Sequence, residues 1–141
     1  MDETIMKNLL AFGSSLLAQL FLSQTVWAYL LPVSGYTNDG SLYIDTNTIV
    51  RTPPTVTLTY VESFDQVKRY GSISYLSKAT NIRLDCNAKR LFALSESYYS
   101  EPNLQGNILG NFPLNDQFGS SPSGDNWPAN LLKLGCLPRR Y

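Results

Sequence analysis

The side chains that could do chemistry in this chain are a few carboxylates, the run Lys68-Arg69-Tyr70, Arg83 and two cysteines, because histidine is absent. Histidine is the usual general base near neutral pH and the commonest metal ligand. Without it no Ser-His-Asp or Cys-His nucleophile and no His-containing zinc site can be assembled. Glycosidase chemistry needs two carboxyl groups at a defined separation in a cleft. Asp39 with Asp45, or Glu62 with Asp65, are the candidate pairs, yet their spacing does not demand proximity. Asn38-Asp39-Gly40 followed by Asp45 imitates a calcium loop, but Gly35 and Thr46 occupy the first and last ligand positions of the EF-hand pattern. A turn is expected there instead, with Asp45 bonding its own backbone. The expectation is a non-enzyme with no catalytic residue, no metal and no cofactor.

The cations read differently. Lys68 and Arg69 suit an acidic or sulfated partner, with Tyr70 adding amphipathic contact area; a solvated loop pair is the alternative. Lys89-Arg90 falls in a turn and reads as solvated, and Arg139-Arg140-Tyr141 forms a basic tail. Eleven basic residues balance eleven acidic ones in 141. A chain without net charge has no global field to draw in nucleic acid, so no nucleic-acid partner is expected. Tyrosine is common, with nine residues. Tyr43, Tyr60, Tyr70, Tyr75, Tyr98 and Tyr99 lie in or beside predicted strands. There they either cover the core or build a binding surface or a dimer edge, so a homodimer is compatible with the pattern.

These residues need a compartment and a scaffold. Leu9 to Leu22 is an apolar run of signal-peptide length, too short to span a membrane, with Lys7 before it and Val26-Trp27-Ala28 as a cleavage site. Residues 1–28 are therefore expected to be a leader and residues 29–141 a single exported domain. Asp2 and Glu3 fit a leader poorly, and a start at Met6 instead of Met1 would give the cleaner MKNLL. No cysteine lies near the cleavage site, so a lipid anchor is not expected, nor is stable membrane insertion after cleavage. Beyond the leader, Cys86 and Cys136 are the two cysteines. In an exported chain such a pair forms one structural bridge, two buried thiols being the alternative.

The scaffold is legible in places. Leu42-Tyr43-Ile44 and Ile49-Val50-Arg51 read as two short strands around polar Asp45-Thr46-Asn47, ended by Pro53-Pro54. Val56, Leu58 and Tyr60 alternate with threonines as one face of a strand. Ser63 to Gln66 reads as a loop. Thr80, Ile82, Leu84 and Cys86 alternate with Asn81, Arg83 and Asp85, which puts Cys86 on the core side. Asn87-Ala88-Lys89 turns the chain, Leu91 to Tyr99 runs back, and Gly106 to Phe112 adds a short strand. Pro113 to Asn126 is loop. Trp127 to Leu134 has apolar residues at helical spacing, with Pro128 in the first turn, Asp125 or Asn126 as cap and Gly135 as terminator. The expected fold is α+β: an antiparallel sheet with a C-terminal helix on one face, tied by one disulfide.

The ordered set Leu42-Tyr43-Ile44-Asp45 with Ile49, Lys68-Arg69-Tyr70, Ile82-Arg83-Leu84-Asp85-Cys86 with Tyr98-Tyr99, and the terminal helix leading to Cys136 resembles the surface-adhesin protein E family of Gram-negative envelope proteins. The resemblance covers roughly residues 36 to 136. It implies the same sheet-and-helix fold and a disulfide between the two cysteines. It further implies an adhesin that binds vitronectin, laminin or plasminogen, with Lys68, Arg69 and Tyr70, and Arg83 further along, as partner-binding residues. The segment Gly71 to Thr80 carries only Lys78 and so is less basic than the family's matrix-binding stretch. Two expectations follow, a surface or extracellular adhesin and, as the alternative, a periplasmic structural or assembly component.

Overall fold

The structure is a computed structural model and describes residues 30–36 and 39–138. The leader, the choice between Met1 and Met6, Asn38 of the predicted turn and the basic tail lie outside the described residues. Six antiparallel strands form one sheet in sequence order: β1 (Leu30–Pro32), β2 (Gly40–Thr52), β3 (Thr55–Tyr70), β4 (Ile73–Asp85), β5 (Arg90–Tyr99) and β6 (Ile108–Pro113). Among the described residues one α-helix, α1 (Trp127–Cys136), follows the sheet.

The period-2 patterns set the faces. Val56, Leu58 and Tyr60 on β3 stand opposite Leu84, Ile82 and Thr80 on β4. With Leu42 and Ile44 they meet Leu131 and Leu132 of α1 in a single core. Ile82, Leu84, Leu58 and Leu131 are fully buried; complete burial of one such side chain stabilises by about 1.5–3 kcal/mol. Asn126 caps α1 by accepting from the Ala129 N–H at 3.1 Å, and Pro128 sits in its first turn.

Four details depart from the sequence reading. Leu42 to Arg51 lies in one strand, not two, with a register shift between Asp45 and Val50. Local side chains stabilise the irregularity: Thr48 Oγ1 donates to the Asp45 carbonyl, and the Thr59 N–H donates to Thr48 Oγ1. The Asp45 carboxylate accepts from the Asn47 N–H, the local bonding expected of it.

Ser63 to Gln66 is not a loop, because β3 continues through it with a bulge between Ser63 and Lys68. Phe64 stays buried there, paired in register with Gly40, whose bare Cα (φ +146°) leaves no room for a side chain against the Ser63 carbonyl. Gly135 does not end the helix; it lies inside it, buried, because a Cβ there would collide with Leu84. Its carbonyl accepts from Arg51 Nη1 at 2.7 Å.

The fourth departure is a strap that the sequence did not reveal. A short 3-10 turn at Pro102–Leu104 crosses beside β3 and β4, with Asn103 and Leu104 at positive φ. Two buried serines hold it. Ser77 Oγ donates to the Glu101 carbonyl and accepts from the Leu104 N–H, and Ser63 Oγ accepts from the Asn103 N–H.

The sulfurs of Cys86 and Cys136 are bonded, joining the end of α1 to the end of β4. The fold is therefore the α+β arrangement expected, with the helix on one face and one disulfide.

Candidate functional site

The helix covers only part of the core face. Along β3 and β4 that face runs from the disulfide, past the apolar core, to Tyr60, where Trp127 packs at a ring separation of 5.5 Å and Tyr36 meets Trp127 edge-on at 6.0 Å. Beyond Tyr60 the same alternation continues, but with charges: Glu62 on β3 stands opposite Lys78 on β4, and Thr80 opposite Glu96 on β5.

Lys78 Nζ sits between the two carboxylates, 2.9 Å from Glu62 Oε2 and 3.0 Å from Glu96 Oε1. Tyr36 Oη donates to Glu62 Oε1 at 2.9 Å and Tyr98 Oη donates to Glu96 Oε2 at 2.7 Å. The lysine side chain is 17% exposed and that of Glu62 7%. Burial alone would pull the Lys78 ammonium down, but the charge and hydrogen bond of Glu62 outweigh it and hold the pKa above its ordinary value. Burial likewise works to raise Glu96, yet hydrogen bonds from Tyr98 and Lys78 leave its carboxyl below the usual value. Tyr98 is pushed up, by burial first and then by its bond to Glu96. Lys78 and Glu96 therefore stay ionised at neutral pH, and the groups of the ladder are committed to one another.

Past the ladder lies an aromatic cluster. Tyr98, 2% exposed, is its centre. Tyr70 stacks on it at 5.2 Å and 11°, Tyr75 meets it edge-on at 4.7 Å, and Phe112 of β6 lies at 5.8 Å. Phe64 extends the cluster through Tyr75 at 5.8 Å. Such pairs add about 0.5–1.5 kcal/mol each beyond the area they bury, so the end of the sheet is a rigid base.

Lys68, Arg69 and Tyr70 cap that base, paired with Tyr75, Ser74 and Ile73 across the β3–β4 turn. Lys68 Nζ lies 5.5 Å from the Phe64 ring centroid and 3.7 Å from Asp39 Oδ2. Arg69 is exposed, and Tyr70 is 54% exposed although one face of its ring is stacked. Lys68 and Tyr70 thus share the aromatic face, while Arg69 between them points to the other face of the same strand end. The tip presents a cation on each face and one amphipathic ring, an arrangement suited to an acidic or sulfated partner that grips the strand end.

Arg83 is not part of this group. It lies between the core residues Ile82 and Leu84, so it points to the opposite face, where its guanidinium rests 4.6 Å from the Phe92 ring centroid. It is eight residues along β4 from Tyr75, about 26 Å at the rise of a strand.

The members of the candidate carboxylate pairs engage other groups or face solvent. Glu62 is buried against Lys78, whereas Asp65 is exposed. Asp39 engages Lys68, and Asp45 its own turn. Among the described residues no cluster of three or more acids or cysteines could hold a metal ion. No described helix is long and apolar enough to cross a membrane. The sequence reading missed the ladder and the role of Tyr98. Their signal was present: Glu62 follows Val56, Leu58 and Tyr60 in phase, and Lys78 precedes Thr80, Ile82 and Leu84 in phase, so both are charges in core-facing positions.

Comparisons with known proteins agree with this architecture. The structure is similar to crystal form II of Haemophilus influenzae protein E, with a TM-score of 0.65 and 20% identity over 79% of this chain and 90% of that one. A second structure of Haemophilus influenzae protein E gives a TM-score of 0.64 and 20% identity, over 79% of this chain and 86% of that one. Protein E from non-typeable Haemophilus influenzae gives 0.59 and 20%, over 80% of this chain and 78% of that one. At such identities the likeness speaks for the fold. No curated protein sequence matches significantly. The family model described as Surface-adhesin protein E matches residues 29–136. With that match spanning most of its length, the chain belongs to the Surface-adhesin protein E family, and is an exported, adhesin-like protein.

Proposed function

We propose that this protein is a non-enzymatic adhesin, displayed at the cell surface, that contacts host extracellular-matrix or serum proteins through the β3–β4 end of its sheet. The observation that carries the proposal is the presentation of Lys68 and exposed Tyr70 on the aromatic base around Tyr98, with exposed Arg69 on the reverse face of the same strand end. Family membership supports vitronectin, laminin and plasminogen as the ligands to test. The contact uses the two cations for acidic or sulfated groups and the tyrosine ring for contact area. Arg83, on the other face, enters only where a partner wraps around the sheet.

The replacement Lys68→Ala with Arg69→Ala tests this. Lys68 makes a long pair with exposed Asp39 and a cation–π contact with Phe64 at 5.5 Å, each worth little, so its loss leaves the fold intact. Binding to an immobilised panel of the three ligands is expected to weaken about tenfold, roughly 1.4 kcal/mol, and the wild-type interaction to weaken with added salt. Unchanged affinity for every ligand would refute the assignment of the contact. Fractionation separates the location: recovery from the periplasm alone would make the protein an internal envelope component.

A further inference from the structure

The geometry points to a second site, unrelated to the adhesive end: a half-open cavity beside the disulfide that binds a free medium-chain carboxylate. The cavity measures about 340 Å³, near the lower end of the roughly 300–1,000 Å³ range typical of small-molecule sites. It lies at the opposite end of β4 from the Lys68–Tyr70 contact.

Three elements build it. Ala129, Leu132 and Cys136 lie at i, i+3 and i+7 on α1, so one helix face supplies an apolar wall. The disulfide to Cys86 continues that wall and fixes it covalently to β4, so the site is formed before a ligand arrives. The loop at Pro122 and Gly124 closes the far side.

The charged lining is of one sign. Lys89 and Lys133 line the cavity, and no carboxylate does. Lys89 is held at φ 54° in the β4–β5 turn, where Asp85 Oδ1 is occupied by the N–H groups of Asn87 and Ala88. Among the described residues Lys89 has no ion pair. Lys133 reaches Asp125 at 3.4 Å, but that carboxylate is 99% exposed. So exposed a pair contributes little and exchanges readily for another anion. An apolar floor lined by two lysines, with the exposed Asp125 outside the lining as the competing acid, matches a single negative head on a short apolar tail. A cationic amphiphile would be repelled, and a neutral one would forfeit both lysines.

The test is titration of the oxidised exported protein with hexanoate, octanoate and decanoate below their micelle concentrations, followed by amide NMR. Saturable shifts are expected at Lys89, Gly124, Ala129 and Lys133, with affinity rising about fourfold per added methylene until the cavity is filled. Decanol is expected to bind at least tenfold more weakly than decanoate. Lys89→Ala with Lys133→Ala, both exposed positions, is expected to weaken decanoate about tenfold and leave decanol unchanged. The proposal is overturned by the absence of saturation, by shifts centred elsewhere, by equal binding of decanol, or by a double variant that keeps its affinity for decanoate.

Discussion

Replacing Lys78 with methionine is expected to cost about 3–5 kcal/mol of folding stability at pH 7, because it strips the one cation that pairs, among the described residues, with two carboxylates held on a half-closed face. Glu62 would be left with the Tyr36 hydroxyl and Glu96 with that of Tyr98, and their repulsion would be only partly screened by water. A domain of this size has about 5–15 kcal/mol in total, so the loss is a large fraction.

The pH dependence gives the loss a signature. In the wild type Glu96 is held below its ordinary pKa of 4.5, so its contribution is present above that value and fades as pH falls through the lower folded value. In the variant Glu96 loses the Lys78 contacts that hold its carboxyl low, so uptake of a proton there costs less and acid relieves the defect. The gap between the two proteins, measured by urea unfolding, is expected to narrow steadily from pH 7 to pH 4. A gap below 1 kcal/mol, or one that does not change with pH, would show that the ladder behaves like ordinary surface ion pairs.

Removing the disulfide is the second large effect. Cys86→Ser with Cys136→Ser opens a loop of sequence separation 50, which on the chain-entropy account lowers stability by roughly 4 kcal/mol. The native state suffers as well. The bridge, the Arg51 bond to the Gly135 carbonyl and the close approach of Gly135 to Leu84 together seat the end of α1. Leu131 and Leu132 lie on that helix, so its loosening opens the core from the disulfide end. The urea midpoint of the serine variant should fall to that of the reduced wild type. A shift equivalent to less than 1 kcal/mol would mean that core packing alone holds the helix.

The fold was legible wherever a physical period ran undisturbed. Val56-Leu58-Tyr60, Thr80-Ile82-Leu84 and the helical spacing from Trp127 each placed side chains on the face they occupy. Legibility failed where the period was broken by tertiary compensation. The bulges at Asp45–Val50 and Ser63–Lys68 insert residues that only cross-strand partners can accommodate, and a single sequence does not display those partners. Gly135 shows the same limit. Its lack of a side chain reads as a helix terminator, but what it permits is contact with Leu84 fifty-one positions earlier.

The candidate site divides along this line. Lys68, Arg69 and Tyr70 are contiguous and share one strand end, with Lys68 and Tyr70 on one face and Arg69 on the other. Tyr98 comes under Tyr70 only after the β3 bulge and another shift between β4 and β5 have set the phase. Resemblance groups Arg83 with the first three, whereas its parity against Ile82 and Leu84 points it to the face opposite the core.

The central claim is that the β3–β4 end is the adhesive surface, and hydrogen exchange of the exported protein with and without vitronectin, laminin or plasminogen tests it most directly. Slower exchange confined to residues 67–76 in at least one complex is the predicted result. Protection centred instead on β6, on α1 or around Arg83, or no protection with any of the three, would contradict it.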